Sequence, residues 1–410
     1  MEDPSPSLPD TTRPASPNPE IALRFSVPFN PALETDFDCF PATPAVFALF
    51  PGNESVSAPP YLSQARDLQR RLRRLLGPLS PRRLNLRDVT RRIEYQTVGS
   101  AFEAQWLLYQ LNRRYYPDQF RRRLRLRPPS LVKVKLRNRF PRCYPARRMS
   151  ADGSLYYGPF PTRAAAERFT SEFLDLFKMR RCVPDLDPDP SHPGCIYSQM
   201  KMCLAPCFQG CTDEEYQEET RRVIAFLDSG GETLERDLET ERSRASENLE
   251  FELAARAHRK LEKAREVMRM RPALIKPISR LNAVMLLPSA EAKAVVFFRV
   301  VAGEIRGPAS LSVAENVSSP VPLDQRLQAL LESLASPAAL PTEFSAAQAT
   351  PASVDKAGNP PLPPWEHLSL LARWFYSSFR SGEFMLIADN QAIPHSRLIK
   401  LCRKIVDGNH

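Results

Sequence analysis

The sequence predicts an α+β protein made of small sheets with helices, a cysteine-rich module, a helical hairpin and a small C-terminal α/β region. Three observations carry that expectation. Short apolar runs closed by turn residues mark strands, as in Ala45-Val46-Phe47-Ala48-Leu49-Phe50 before Pro51-Gly52 and again between residues 282 and 312. Apolar residues recur at helical spacing from about 164 to 177 and through the charged stretch 213–268. Between the two, five of the eight cysteines fall between Cys182 and Cys211, separated by prolines and glycines that hold the backbone out of regular helix.

The chain has 410 residues, room for two or three domains, and no apolar run approaches the length of a membrane span, so no membrane partner is expected. Its net charge of +10 is unevenly spread. From Tyr61 to Arg181 there are 29 Lys and Arg against 9 Asp and Glu, an excess of 20 in that segment alone. Such a footprint suits a phosphate backbone, and the dominance of arginine favours bidentate phosphate contacts.

Residues 1–35, rich in Pro, Ser, Asp and Glu, read as a disordered tail with no targeting signal. A first domain is expected over 36–125, with the strand at 45–50, a second strand around Tyr61-Leu62 and a helix from about Gln64 to Leu76. A basic and cysteine-rich module follows over 126–230. It opens with Arg121, Arg122, Arg123 and Arg125 just upstream and the alternating Val132-Lys133-Val134-Lys135, a strand with one charged face. These cations are the candidate DNA contacts. Tyr144, Tyr156 and Tyr157 lie close behind, and aromatic rings interleaved with arginine suit stacking on unpaired bases, although Tyr157 reads as core.

The cysteine spacing is Cys182-x12-Cys195-x7-Cys203-x3-Cys207, with Cys211 a further x3 along. Clustered cysteines in a chain without a secretory signal point to a reducing, cytoplasmic setting and a metal centre rather than disulfides. Thiolate chemistry alone leaves zinc and an iron-sulfur cluster equally open. His192 reads as a loop residue facing water.

Beyond the cysteines, Thr212 is placed to cap a helix beginning Asp213-Glu214-Glu215, which should stop at Gly230-Gly231. A helical hairpin is expected over 231–270, with helices at Glu232–Glu247 and Leu249–Met268. A β-rich region covers 271–335, with strands at Asn282–Leu287, Ala294–Val301 and Glu304–Ser312 and a tight turn at Ala302-Gly303. A Pro/Ala-rich linker spans 336–364, and 365–410 should form helix, strand and helix.

Several of these residues carry a family resemblance. Leu176-Phe177-Lys178-Met179-Arg180-Arg181-Cys182, Cys195-Ile196-Tyr197, Cys203-Leu204-Ala205-Pro206-Cys207 and the upstream Tyr156-Tyr157-Gly158-Pro159-Phe160 resemble the cysteine region of UvrC, the nuclease subunit of bacterial excinuclease ABC. That resemblance implies a 4Fe-4S cluster on Cys182, Cys195, Cys203 and Cys207, with zinc as the alternative and Cys211 as a spare. Pro44-Ala45-Val46-Phe47 and Tyr61-Leu62-Ser63-Gln64-Ala65 resemble the P-G-V-Y and Y-[IV]-G-K-A motifs of a GIY-YIG nuclease domain, a small mixed sheet with helices. The resemblance implies catalytic roles for Tyr61, Arg71 and Glu103, the last holding Mg2+ or Mn2+ for phosphodiester hydrolysis. Phe47, Ser63, Gln64 and Leu75 depart from the pattern. Ala245–Ala255 resembles the UVR motif, which implies contact with a UvrB-type protein through Leu249, Phe251, Ala254 and Ala255; Arg242 and His258-Arg259 depart from it.

Two functions follow from the resemblance. One is a shortened UvrC-like DNA-repair protein making a single incision near damaged double-stranded DNA. The other is a non-catalytic DNA-binding or repair-complex scaffold with a degenerate GIY-YIG site. A zinc-dependent transcription factor ranks behind both, for want of a recognition helix.

Overall fold

A computed structural model of the chain describes residues 23–33, 36–52, 58–77, 84–183, 185–313, 321–335, 362–388 and 393–408. It divides into two bodies, one ending at Gln96 and one beginning at Thr97. Residues 1–22 of the expected tail and 336–361 of the expected linker lie outside the described residues.

The first body is a four-stranded sheet with one main helix. Its strands are β1 (Phe25–Pro28), β2 (Ala45–Pro51), β3 (Tyr61–Ala65) and β4 (Thr90–Thr97), in the order β1-β4-β2-β3, and its helix is α1 (Leu68–Leu76). Strand β1, inside the stretch whose composition reads as tail, pairs antiparallel with β4 from Phe25↔Tyr95 to Pro28↔Arg92. Strand β2 pairs antiparallel with β3, Ala45↔Ala65 to Leu49↔Tyr61, and is buried from Ala45 through Leu49. Helix α1 starts at β3's end because the Asp67 carboxylate accepts the Arg70 N–H. Its leucines, Leu68, Leu72, Leu75 and Leu76, then fall on one stripe that packs with Phe47, Leu49 and Ile93. Arginine fills the opposite stripe.

The second body opens with α2 (Ala101–Tyr115) and α3 (Phe120–Arg123), then β5 (Ser130–Lys135), β6 (Arg142–Ala146), β7 (Leu155–Phe160), α4 (Arg163–Leu174) and the one-turn α5 (Ile196–Gln199). Helices α6 (Asp213–Ser229), α7 (Glu232–Glu247) and α8 (Phe251–Met270) follow, then β8 (Lys276–Pro277), β9 (Ala283–Pro288), β10 (Ala294–Val301), β11 (Glu304–Ser312), α9 (Leu323–Ala335), α10 (Trp365–Phe375), β12 (Glu383–Leu386) and α11 (His395–Asp407). Two four-stranded sheets result, ordered β6-β5-β7-β8 and β11-β10-β9-β12. The protein is α+β.

The sheet β11-β10-β9-β12 sits between helical layers, and the period-two rule explains how. Ala283, Met285, Leu287, Val296 and Phe298 face a core shared with Phe102 and Trp106 of α2 and Leu368 and Leu371 of α10. The intervening Val284, Leu286, Val295 and Phe297 face Leu327 and Leu331 of α9 and Leu398 and Cys402 of α11. Helix α2, which the resemblance places with the first sheet, therefore groups with the second body. In the other sheet, Val132, Val134 and Tyr157 face Phe169 and Phe173 of α4, Tyr216 and Phe226 of α6 and Leu261 of α8.

The α6 cap forms as expected: Thr212 Oγ1 accepts the Glu215 N–H while the Glu215 carboxylate accepts the Thr212 N–H. The helix ends at Gly230, φ +72°, and Gly231, φ +101°, where a Cβ would stand 2.5 Å from the Met268 side chain. That close approach sets α7 against α8. Arg265 of α8 then clasps Glu235 and Glu239 of α7, at 2.7 and 2.6 Å. Among the described residues no helix is long and apolar enough to cross a membrane.

Candidate functional site

The cysteine segment leaves α4 and returns to α6 as a largely irregular loop fixed by its own backbone. Leu204 N–H donates to the Lys178 carbonyl, Asp189 N–H to the Cys207 carbonyl and Gly210 N–H to the Ala205 carbonyl. Ala205 and Gln209 sit at φ +57° and +60°, one on each side of Cys207. These bends bring Cys182, Cys195, Cys203 and Cys207 onto one cavity, closed by Arg180, Arg181, Leu186, Tyr197 and Pro206. Cys211 lines a separate groove with Arg139, Asp187 and Asp213.

The donor set suits a cation. Burial pushes the Cys203 thiol up to about 11 and also raises that of Cys207, with neighbouring sulfurs pushing the same way, so a positive charge at the cavity would favour their thiolate forms. Two N–H donors already point at sulfur: Arg180 Nη1 to Cys182 Sγ at 3.2 Å and Ala205 N to Cys203 Sγ at 3.3 Å. Among the described residues no three His, Cys, Asp or Glu side chains stand in a geometry that already chelates an ion. A metal centre here therefore requires the four thiols to rearrange around it.

Arg180 was not singled out as a site residue by the sequence. It is 1% exposed, donates from Nε to the Phe140 carbonyl at 2.9 Å and from its backbone N–H to the Tyr216 hydroxyl at 3.0 Å, and Tyr216 in turn donates to the Pro141 carbonyl. Only its place two residues before Cys182 marked it in advance.

In the first body, Arg71 Nη2 donates to the Tyr61 hydroxyl at 3.3 Å. Arg71 also lines an open groove of about 980 Å3 with Arg66, Arg70, Arg73, Arg74 and Gln64. Arg73 is paired with Asp38 at 2.8 Å, whereas Arg66, Arg70 and Arg74 are exposed and form no ion pair among the described residues. Phe47 is fully buried in β2 and contributes no hydroxyl.

Glu103 lies in the second body, in the first turn of α2, where it is 5% exposed. Ser100 Oγ accepts the Glu103 N–H, and Glu103 Oε2 accepts the Gly99 N–H at 3.0 Å, so the carboxylate is used in a variant of the capping box. Burial raises its pKa from 4.5 to about 7, partly offset by the Gly99 N–H and reinforced by Glu291. Between those two values the folded chain keeps a proton that the unfolded chain has lost. Stability therefore falls as pH rises through that window, by at most about 1.4 kcal/mol per pH unit. Glu103→Gln is expected to stabilise the protein by about 1–3 kcal/mol at pH 8 and to change little at pH 4.5. Urea midpoints at the two pH values check this, and equal shifts at both would refute it.

The basic residues divide by environment. Arg122 and Arg125 are exposed. Arg121 pairs with the buried Glu366 at 2.7 Å, and Arg123 donates to Asn112 and stacks 3.7 Å from the Tyr116 ring centre. Lys135 meets Asp185 at 3.4 Å. Lys133 corrects the sequence reading: it is 6% exposed and its ammonium is bound to Asp152 at 2.8 Å, so it does not face a DNA backbone. The alternation is real, but Ser150 and Asp152 fold over that part of the face.

At the tip of the α7–α8 hairpin, Leu249 and Phe251 are 71% and 69% exposed. Ala254 and Ala255 line a groove of about 500 Å3 with Arg242, Glu247 and His258.

Comparison with known proteins finds a family match that includes the cysteine segment. Residues 130–226 match the family described as UvrC/Cho excinuclease, middle domain. Over that segment the chain is similar to the UvrC/Cho middle domain. It is 33% identical over 201 residues to the UvrABC system protein C of Carboxydothermus hydrogenoformans, covering 48% of this chain and 32% of that one. It is 32% identical over 193 residues to the same-named protein of Methanothermobacter thermautotrophicus, covering 45% and 32%. With that of Dictyoglomus thermophilum it shares 28% identity over 232 residues, covering 56% and 38%. The match thus spans about a third of each relative's length. No solved structure matches.

Proposed function

We propose that the protein is a UvrC-like component of nucleotide excision repair that binds damaged double-stranded DNA in the cytoplasm and serves as a DNA-binding scaffold in the repair complex. The observation that carries this reading is the convergence of Cys182, Cys195, Cys203 and Cys207 on one cavity inside the segment that matches the UvrC/Cho middle domain. A 4Fe-4S cluster is the proposed occupant and zinc the alternative; when bound, either supplies positive charge and a cross-link between distant parts of the loop. Arg70 and Arg74, one turn apart on α1, and Arg66 just ahead of its cap offer phosphate contacts. The exposed Leu249 and Phe251, with Ala254 and Ala255, are the proposed contact for a UvrB-type protein.

The scaffold form is preferred because Phe47 has no hydroxyl and Glu103 is buried as a helix cap. A second reading, a GIY-YIG-type endonuclease making one incision, is favoured by the Tyr61–Arg71 hydrogen bond and the arginine-lined groove. In that case Glu103 would hold Mg2+ or Mn2+, which stabilises charge on the scissile phosphate.

Anaerobically purified protein, incubated with a labelled, damaged duplex and Mn2+, separates the two. Binding without cleavage is expected. Replacing Arg70 and Arg74 by Gln should lower the slope of log affinity against log salt by about 2. Metal-dependent cleavage that disappears in Glu103→Ala would establish the nuclease instead, and absence of any duplex binding would overturn both.

A further inference from the structure

Strand β6 is an edge strand of the sheet β6-β5-β7-β8. Its register against β5, Lys133↔Tyr144 and Lys135↔Arg142, puts Arg142, Tyr144, Lys133 and Lys135 on one face of that sheet. The other face, with Val132, Val134, Cys143 and Tyr157, is core. Ser150 and Asp152 cover Lys133, but Tyr144 at the edge stays half-buried.

The Arg142 guanidinium lies over the Tyr144 ring at 4.2 Å. Among the described residues Tyr144 has no ring or hydrogen-bond partner besides Arg142. The guanidinium covers one side of the ring, and the ring itself is half-buried at the sheet edge. Arg142 Nε is itself buried without a hydrogen-bond partner. Lys135, already paired with Asp185 at 3.4 Å, stands opposite Arg142, and Arg147 and Arg148 are exposed just beyond the strand's end. The surface therefore pairs an aromatic platform with cations spaced along a strand. Pro145, lacking an N–H, interrupts the edge as a template for another strand, so side chains rather than backbone are what β6 offers a partner.

We propose that Tyr144, backed by Arg142, is a stacking platform for an unpaired nucleobase of a single-stranded or unwound stretch of DNA, with the neighbouring cations on its phosphates. The proposal rests on the DNA-binding reading and names the form of DNA this surface selects. It also assigns the role to one tyrosine of the three. Tyr156 and Tyr157 are 4% and 1% exposed and hydrogen-bonded to Ser150 and Asp228. Stacking on any base is sequence-tolerant, as a repair protein requires.

The test is anisotropy titration of the full chain with a labelled single strand, a duplex containing an unpaired bubble, and the matched duplex. Tyr144→Ala is expected to weaken the single strand and the bubble roughly 5- to 100-fold while changing the matched duplex by less than about 2-fold. Tyr144→Phe, which keeps the ring, should behave as the parent. The platform is overturned by a Tyr144→Ala protein that binds the single strand as the parent does, or that loses all three DNAs equally, or by a Tyr144→Phe protein as weak as Tyr144→Ala. In each of those cases the parent's duplex binding still stands. A parent protein that binds none of the three DNAs overturns the DNA-binding reading and the platform with it.

Discussion

Cys203→Ala is expected to empty the cysteine centre and to unfold much of the loop around it. Cys203 lines the cavity with Cys182, Cys195 and Cys207, and burial together with those neighbouring sulfurs pushes its thiol up to about 11. The loop contributes little apolar core of its own: Val183, Ile196 and Met200 are 71%, 63% and 61% exposed. Backbone hydrogen bonds shape it, and the proposed metal would add a cross-link between its sulfurs. Structural metal binding by thiolates contributes about 10–16 kcal/mol, comparable with the whole stability of a domain. Cys203→Ala should therefore retain less than about a tenth of the bound metal and lower Tm by more than about 10 °C. Cys211→Ala, altering the neighbouring groove, should keep both. Elemental analysis for iron and zinc, with anaerobic thermal denaturation, checks the pair of variants. Full metal content in Cys203→Ala, or equal loss in Cys211→Ala, would remove the assignment.

The second large effect is expected at Arg180. Its guanidinium is enclosed, yet it satisfies the Phe140 carbonyl and approaches both the carbonyl and the sulfur of Cys182. Arg180→Met keeps most of the volume and removes the guanidinium donors, leaving the Phe140 carbonyl and the part-buried Cys182 acceptors unmatched. A loss of about 3 kcal/mol follows from the desolvation cost. The exposed Arg163, paired with Glu167 one helical turn away, serves as the control: Arg163→Met should change stability by less than about 0.5 kcal/mol. Urea denaturation of both variants decides the matter, and similar midpoints would mean that Arg180 is merely packed.

What the sequence made legible is local. Thr212, the acidic first turn and Gly230-Gly231 bound α6 without reference to anything distant, and α7 falls at the expected Glu232–Glu247. The hairpin β10–β11 follows from two strand-like runs around the tight turn at Ala302-Gly303, both in the left-handed region. The cysteine cluster was visible from spacing, proline and glycine, whereas the set of four that lines the cavity, without Cys211, was implied only by the family resemblance. Long-range packing was not readable. Lys133 has the right parity for a charged face, but whether Asp152 covers it depends on a turn nineteen residues away. Glu103 reads as a catalytic carboxylate by motif, while its burial depends on where α2 docks. Helix α9 was hidden in a region whose alternation suggested only strands.

The arrangement of β12 and α10 bears on how the chain can be shortened. Strand β12 completes one side of β9, from Glu383↔Leu286 to Leu386↔Ala283, and Ser369 of α10 donates to the Arg127 carbonyl far upstream. A polypeptide stopped at residue 335 would keep β9 but lose the strand that satisfies its outer N–H and C=O groups. It would also uncover the apolar side that Leu368, Leu371 and Trp374 shield. Such a product is a seed for intermolecular strand pairing and precipitation, so the last segment acts as a solubility cap for everything before it.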